Sequence, residues 1–190
     1  VLPTLTGPVF QETIQALNQA LDAQGYQLMV GQSGYDSTRE DALLDAIMPL
    51  VILQARKLGV SVRTSVEPDL PPALCDRTMV EQVLLNLARN AMQAMDDPTI
   101  APRVLDIRVR RAASKGHSGW LEFSVADGGS GIPEEVAKKL FTPFFTTRSE
   151  GMGLGLSMCR TVVEQHGGYF GFAPNEPRGT VFTFTLPVKI

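Results

Sequence analysis

From about residue 50 onward the sequence predicts an α/β fold of the α+β kind. Helices are expected on one face of a mixed, largely antiparallel sheet, a two-layer sandwich. Three observations point there. Segments with apolar residues at helical spacing alternate with short stretches of period two. Two pairs of those stretches, about 103–112 with 119–126 and about 169–173 with 180–188, are close enough in sequence to form hairpins. The chain has 190 residues, 44% of them hydrophobic and 19% charged, which is enough to bury a core without disulfide or metal staples.

In chain order, Phe10, Ile14, Leu17 and Leu21 recur at helical spacing and predict a helix over about 8–24, stopped by Gly25. Tyr26 to Val30 reads as a short strand, and Gly31 to Thr38 as a polar, turn-rich stretch. A second helix is expected from about Arg39 to Leu58, kinked or broken at Pro49 because proline removes a helical N–H. Val60 to Val66 alternates like a strand, and 67–72 reads as a loop. Asp76 is a suitable N-cap for a strong helix over about 77–95. After the first hairpin, Pro133 opens a short helix near 133–140. Another helix spans about 153–166 and ends at Gly167-Gly168.

Charge and cysteine usage exclude several classes. A formal net charge of -3 gives no electrostatic footprint for nucleic acid or an anionic membrane. The alternating Arg108 and Arg110 read as the solvated face of a strand. Cys75 and Cys159 sit in no CxxC pair and near no histidine at ligand spacing, which argues against zinc and for a reducing, cytoplasmic compartment. No apolar run reaches the length of a membrane span. The opening Val1-Leu2-Pro3-Thr4 lacks the regions of a signal peptide, and the chain reads as an excerpt of a longer protein.

Three motifs carry chemistry. On the helix over 77–95, Gln82, Asn86 and Asn90 are spaced by four and share a face opposite the apolar stripe. Asparagine is a mediocre helix former, so this row is either a solvated face or a set of neutral oxygen donors for a hard cation such as magnesium. Asp127-Gly128-Gly129-Ser130-Gly131-Ile132 follows a strand directly. A carboxylate there can accept from an exocyclic amine, and the glycines let backbone approach a flat ring; Asp-Gly-Gly is equally a common turn. Gly151-Met152-Gly153-Leu154-Gly155-Leu156 opens a helix, where backbone N–H groups and the helix dipole favour phosphate. It is neither the Rossmann fingerprint nor a Walker A loop.

Taken in order with Phe141-Thr142-Pro143-Phe144-Phe145-Thr146-Thr147, these motifs resemble the GHKL superfamily, and within it the catalytic domain of sensor histidine kinases. EQVLLNLARNAMQAM (81–95) looks like the N box, DGGSGI (127–132) like the G1 box and LFTPFFTTR (140–148) like the F box. GMGLGLSMCRTVVEQHGG (151–168) looks like the G2 box, and GTVFTFTLP (179–187) like the G3 strand. The resemblance implies a Bergerat fold over 48–190 that binds ATP with Mg2+. Asn90 would be the metal ligand, with Asn86 beside it in the phosphate region. Asp127 would take the adenine amino group, in a pocket shaped by Gly129, Gly131 and Ile132, with Thr180 near the adenine end. Phe144 and Phe145 would hinge a lid that includes Thr147. Arg148 would approach the phosphates, and Gly151, Gly153, Leu154, Gly155 and Leu156 would wrap them. RTVVEQHGG is most similar to the nitrogen-fixation and dicarboxylate sensor branch.

The same resemblance implies a partner domain, a dimerising helical hairpin with an acceptor histidine, and a response regulator. The chain's two histidines do not fit that acceptor: His117 lies in a loop, and His166 sits at a helix end where the family has a structural histidine. The chain is therefore expected to bind ATP yet not to phosphorylate itself. Residues 1–47 (PTLTGPVFQETIQALNQALDAQGYQLMVGQSGYDSTREDALLDAI from Pro3 on) resemble instead the start of the effector-binding domain of LacI-type repressors. That implies a chimera with a short βαβ-like fragment before residue 48, and a homodimer formed through residues 1–47 is a further expectation. Two alternative functions stand beside the kinase reading. One is another GHKL ATPase of the gyrase, chaperone or mismatch-repair type, although those use Glu where Asn86 stands. The other is a non-catalytic interaction module.

Overall fold

The computed structural model describes residues 35–38, 40–112, 119–147 and 151–189. The chain divides into two compact units, Val1–Gly34 and Tyr35–Ile190. The first unit, with the helix expected at 8–24 and the strand at 26–30, lies outside the described residues, as do His117 and Arg148.

The second unit begins with strand β1 (Tyr35–Thr38), helix α1 (Glu40–Lys57), strands β2 (Ser61–Val66) and β3 (Ala73–Asp76), and helix α2 (Arg77–Ala94). Strands β4 (Val104–Arg111) and β5 (Trp120–Ala126) follow, then the short helix α3 (Glu134–Ala137), helix α4 (Gly155–Gln165), and strands β6 (Phe170–Pro174) and β7 (Thr180–Pro187). Five strands form one sheet in the order β2-β4-β5-β7-β6; β2 runs parallel to β4, and the other pairs are antiparallel. β1 and β3 form a separate antiparallel pair. This is the two-layer mixed-sheet sandwich expected from the sequence.

Alternation along the strands decides which face is covered. Leu105, Ile107 and Val109 of β4, Leu121, Phe123 and Val125 of β5, and Phe182, Phe184 and Leu186 of β7 are all buried. Phe123 and Phe184 are cross-strand partners, stacked with ring centroids 4.8 Å apart. A pair of that kind contributes about 0.5–1.5 kcal/mol beyond its buried area. From the helices, Val80, Val83, Leu84, Leu87, Ala88, Ala91 and Met92 of α2 and Cys159 and Val163 of α4 complete the core. On the other face Arg108 pairs with Asp106 and Arg110 with its cross-strand partner Glu122, solvent-exposed arginines as their alternation suggested. Such exposed pairs contribute little to stability.

Three expectations are corrected. Pro49 does not break α1, which runs unbroken over Glu40–Lys57. Pro49 is exposed, while Leu43, Leu44, Ile47, Val51 and Ala55 make one buried stripe that holds the helix to the core. The boundary expected at 47/48 therefore falls inside a single helix, and Leu43, Leu44 and Ile47 belong to the same core as the sheet. The stretch 35–38, read as part of a turn-rich segment, is a strand paired with Ala73–Asp76, a second strand that the sequence reading did not assign. Both are short and flanked by polar or proline residues, so periodicity carries no signal for them.

Helices α2 and α4 are tied together where α2 starts and α4 ends. Asp76 caps α2, its carboxylate oxygen Oδ1 accepting from Met79 N at 3.0 Å. The Asp76 backbone N–H donates to His166 Nε2 at 2.9 Å, and His166 Nδ1 lies 2.7 Å from Val162 O. With Nε2 accepting, the ring proton sits on Nδ1 and donates to the helix carbonyl. His166 is buried, in keeping with the structural role expected for it. His166→Ala would leave a buried N–H without its acceptor and is expected to cost about 1–3 kcal/mol of stability. Urea unfolding measures this, and an unchanged midpoint at unchanged slope would show that the bond contributes nothing.

Candidate functional site

The site assembles where β5 ends, β7 begins, and α2 and α4 face each other. Asp127 follows β5 directly, at the end of an interior strand. Its side chain is buried, which is costly for a carboxylate unless donors meet it. Oδ1 accepts from Gly129 N at 2.8 Å and from Thr180 N at 3.2 Å. Its backbone is held as well: Asp127 N donates to Thr180 O at 2.9 Å, and Asn175 Nδ2 donates to Asp127 O at 2.7 Å. One carboxylate thus joins the end of β5, the glycine turn and the start of β7. Thr180 is buried beside it.

The glycine turn lies flat against the end of α2. A Cβ on Gly129 would come within 2.6 Å of Ala94 O, so only glycine fits without displacing helix backbone. Gly128 N approaches Met95 Sδ at 3.5 Å. Gly131 is half-exposed, and Ile132 packs partly buried against the core.

The amide row meets the second glycine motif. Asn86 Nδ2 donates to Cys159 Sγ at 3.1 Å, and a Cβ on Gly155 would come within 2.6 Å of Asn86 Oδ1. The first residue of α4 therefore lies directly on the polar face of α2. Asn90, one turn further along α2, is half-buried. Burial pushes the Cys159 thiol up to about 11, with the Asn86 bond opposing; burial, with Asp76 and Glu81 adding, does the same at Cys75. Both are free thiols held protonated, not nucleophiles. Leu154 takes the N-cap position of α4, and Leu156 packs partly buried against the core. A helix start of this kind presents backbone N–H groups that no helical carbonyl satisfies.

The aromatic segment lies alongside. Phe144 is 75% exposed and has φ +66, a left-handed conformation that is strained for a bulky residue. Gly153, at φ +68, sits against its backbone: a Cβ there would come within 2.5 Å of Phe144 C and 2.7 Å of Phe145 O. Phe145 is half-buried, whereas Thr147 and Gly151 are exposed. The structure thus brings Asp127, Gly129 and Thr180 together, Asn86 with Gly155, and Gly153 with Phe144 and Phe145. Asn175, Gly179 and Cys159 were not foreseen. Gly179 packs onto Asp127 O so closely that a Cβ there would overlap it. Its signal was the turn-rich Asn175-Glu176-Pro177-Arg178-Gly179 just before the last strand.

Residues 75–190 match the family described as histidine kinase-, DNA gyrase B-, and HSP90-like ATPase. Among characterised relatives, the C4-dicarboxylate transport sensor protein DctS of Rhodobacter capsulatus is 44% identical over 134 residues, covering 70% of this chain and 20% of that protein. The adaptive-response sensory kinase SasA of Prochlorococcus marinus is 30% identical over 94% of this chain and 48% of its own length. The chain thus spans one fifth to one half of these relatives. Among solved structures, the nucleotide-free catalytic domain of histidine kinase ThkA superposes with a TM-score of 0.69 at 30% identity, covering 83% of this chain and 97% of that one. The similarity to SasA takes in most of residues 1–47, and the comparisons lend no support to a LacI-type segment there. The chain belongs to the histidine kinase-, DNA gyrase B- and HSP90-like ATPase family.

Proposed function

We propose that this chain is the ATP-binding catalytic domain of a two-component sensor histidine kinase. It would donate the γ-phosphate of Mg2+-bound ATP to a histidine on a separate dimerisation domain, from which a response regulator takes it. The observation that carries this reading is the meeting of α2 and α4. The amide-bearing face of one helix lies against the glycine-opened first turn of the other, and the glycine turn bonded to the buried Asp127 carboxylate packs on the end of the first. Amide oxygens, helix N–H groups and a carboxylate acceptor are the donor and acceptor set that a magnesium-bound adenine nucleotide needs.

In this reading Asp127 accepts the adenine amino group, the ring lies by Gly129, Gly131 and Ile132, and Thr180 closes the adenine end. Asn90 holds magnesium, and Asn86 borders the phosphates. Gly151, Gly153, Leu154, Gly155 and Leu156 surround them, Phe144 and Phe145 hinge the flank that includes Thr147, and Arg148 approaches the phosphates. The bound metal would neutralise charge building on the transferred phosphoryl group. The chain's part is to bind and orient. His166 cannot be the acceptor: it is engaged at both ring nitrogens and stands at the far end of α4 from Gly155. That helix has 11 residues, which at 1.5 Å per residue puts the imidazole about 16 Å away. The similarity to a dicarboxylate sensor, the residues RTVVEQHGG and the absence of Glu at position 86 favour this branch over the water-activating ATPases. ATP and free thiols both suit the cytoplasm.

Isothermal titration of the chain with Mg2+ and ATP tests the reading, which fails if no heat of binding is seen. Asn90→Ala should weaken Mg2+-dependent ATP binding by about tenfold or more, equal to about 1.4 kcal/mol. Magnesium-free ADP binding should change far less, and equal losses would remove Asn90 as a metal ligand. Asp127→Asn can keep an oxygen for Gly129 and Thr180 while placing a donor at the second position. It is expected to lower the preference for ATP over GTP by about tenfold. A preference equal to that of the unaltered chain would refute the adenine contact.

A further inference from the structure

Arg160 lies on α4, within the stretch 151–168 read as the G2 box but given no role there, and its side chain has a defined place. Its guanidinium carbon stands 5.4 Å from the centre of the Phe141 ring. Its Nε donates to Glu164 Oε1 at 2.7 Å, one helical turn on. Phe141 in turn meets Phe170 and Phe172 of β6 edge-on, at centroid distances of 5.5 and 5.9 Å. Those two rings pack against Phe182 of β7. Arg160 is thus the outermost member of an aromatic series that begins in the sheet.

Phe141 opens the segment that runs to the strained Phe144, against which Gly153 is fitted. Two residues after Gly153 the chain enters α4 at Gly155, on Asn86. Gly153 pins the returning limb of this loop to the outgoing one by a backbone contact. The outgoing limb has hydrogen bonds of its own, Thr142 N to Lys139 O at 2.9 Å and Phe145 N to Thr142 O at 3.1 Å. Phe141 under Arg160 is a side-chain link between that limb and α4. A guanidinium over an aromatic face is attracted by the ring quadrupole, and its planar fork stacks better than an ammonium. Glu164 fixes which way the fork turns.

We propose that Arg160 is a positioning residue: through Phe141 it holds the 141–147 segment in register with the first turn of α4, and so sets how the flank of the nucleotide site is presented. The functional half of this inference rests on the nucleotide-site reading above; the mechanical half does not. Arg160 and Glu164 are each about half exposed, so their loss should leave the core intact.

The test is hydrogen exchange on the full chain, without nucleotide, comparing Arg160→Ala, Arg160→Lys and Glu164→Gln with the unaltered protein. Arg160→Ala should speed exchange of the Thr142 and Phe145 amides by about two- to fivefold, the range expected from losing one exposed cation–π contact. Amides of β5 and β7 should not change. Arg160→Lys should restore part of the protection, and Glu164→Gln should fall between. With Mg2+ and ATP added, the affinity of Arg160→Ala should drop by a similar factor. Unchanged exchange at Thr142 and Phe145, or equal acceleration across the sheet, would overturn the proposal. If the unaltered chain binds no nucleotide, the function reading fails, and the exchange data still decide whether Arg160 holds the segment. Normal exchange effects with unchanged ATP affinity would overturn its positioning role at the site.

Discussion

The buried carboxylate of Asp127 is the point on which the arrangement of the site depends. A carboxylate removed from water must be met by donors, and here they come from Gly129 in the turn and Thr180 at the start of β7. Meeting it draws backbone close on three sides. Gly129 presses on the last turn of α2, Gly179 on the Asp127 carbonyl, and Asn175 reaches across from the β6–β7 turn. Each of those approaches is possible because a side chain is missing or is itself a donor. The position of the glycines and the burial of the acid are therefore one constraint, satisfied at the mouth of an interior strand.

The helices carry the second half of the arrangement. α4 meets α2 at both of its ends: Gly155 against Asn86 near the site, and His166 bonded to Asp76 away from it. Between them Cys159 receives the Asn86 amide and packs into the core. Polar groups near the proposed phosphates are thus held by contacts with no chemical role of their own. This separates rigid support from the exposed aromatic flank, where Phe144 stands out in solvent with a strained backbone.

Much of this was legible in the sequence because the signals are local. Period-two alternation identified β4, β5, β6 and β7, and Asp76 marked the start of α2. The order of the glycine motifs pointed to their spatial neighbours. What sequence reasoning missed depends on distant partners. β1 and β3 are four-residue strands that exist only because they pair with each other across 34 intervening residues. Pro49 was read as a break because a missing N–H is a local fact, whereas the buried stripe that sustains α1 is a tertiary one. The boundary at 47/48 came instead from the resemblance assigned to residues 1–47, and it lies inside that helix. The ring that Arg160 covers, Phe141, is 19 residues away in sequence, so no local pattern marks the pair.

The central claim is that the Asp127 carboxylate, the Asn86–Asn90 face of α2 and the first turn of α4 form one site for a magnesium-bound adenine nucleotide. A crystal structure of the chain grown with Mg2+ and a non-hydrolysable ATP analogue tests it most directly. The account predicts density for adenine with its amino group on Asp127, a metal touching Asn90, and phosphates at the Gly151–Leu156 end of α4. A nucleotide bound elsewhere on the chain, or one bound here with its base away from Asp127, would contradict it.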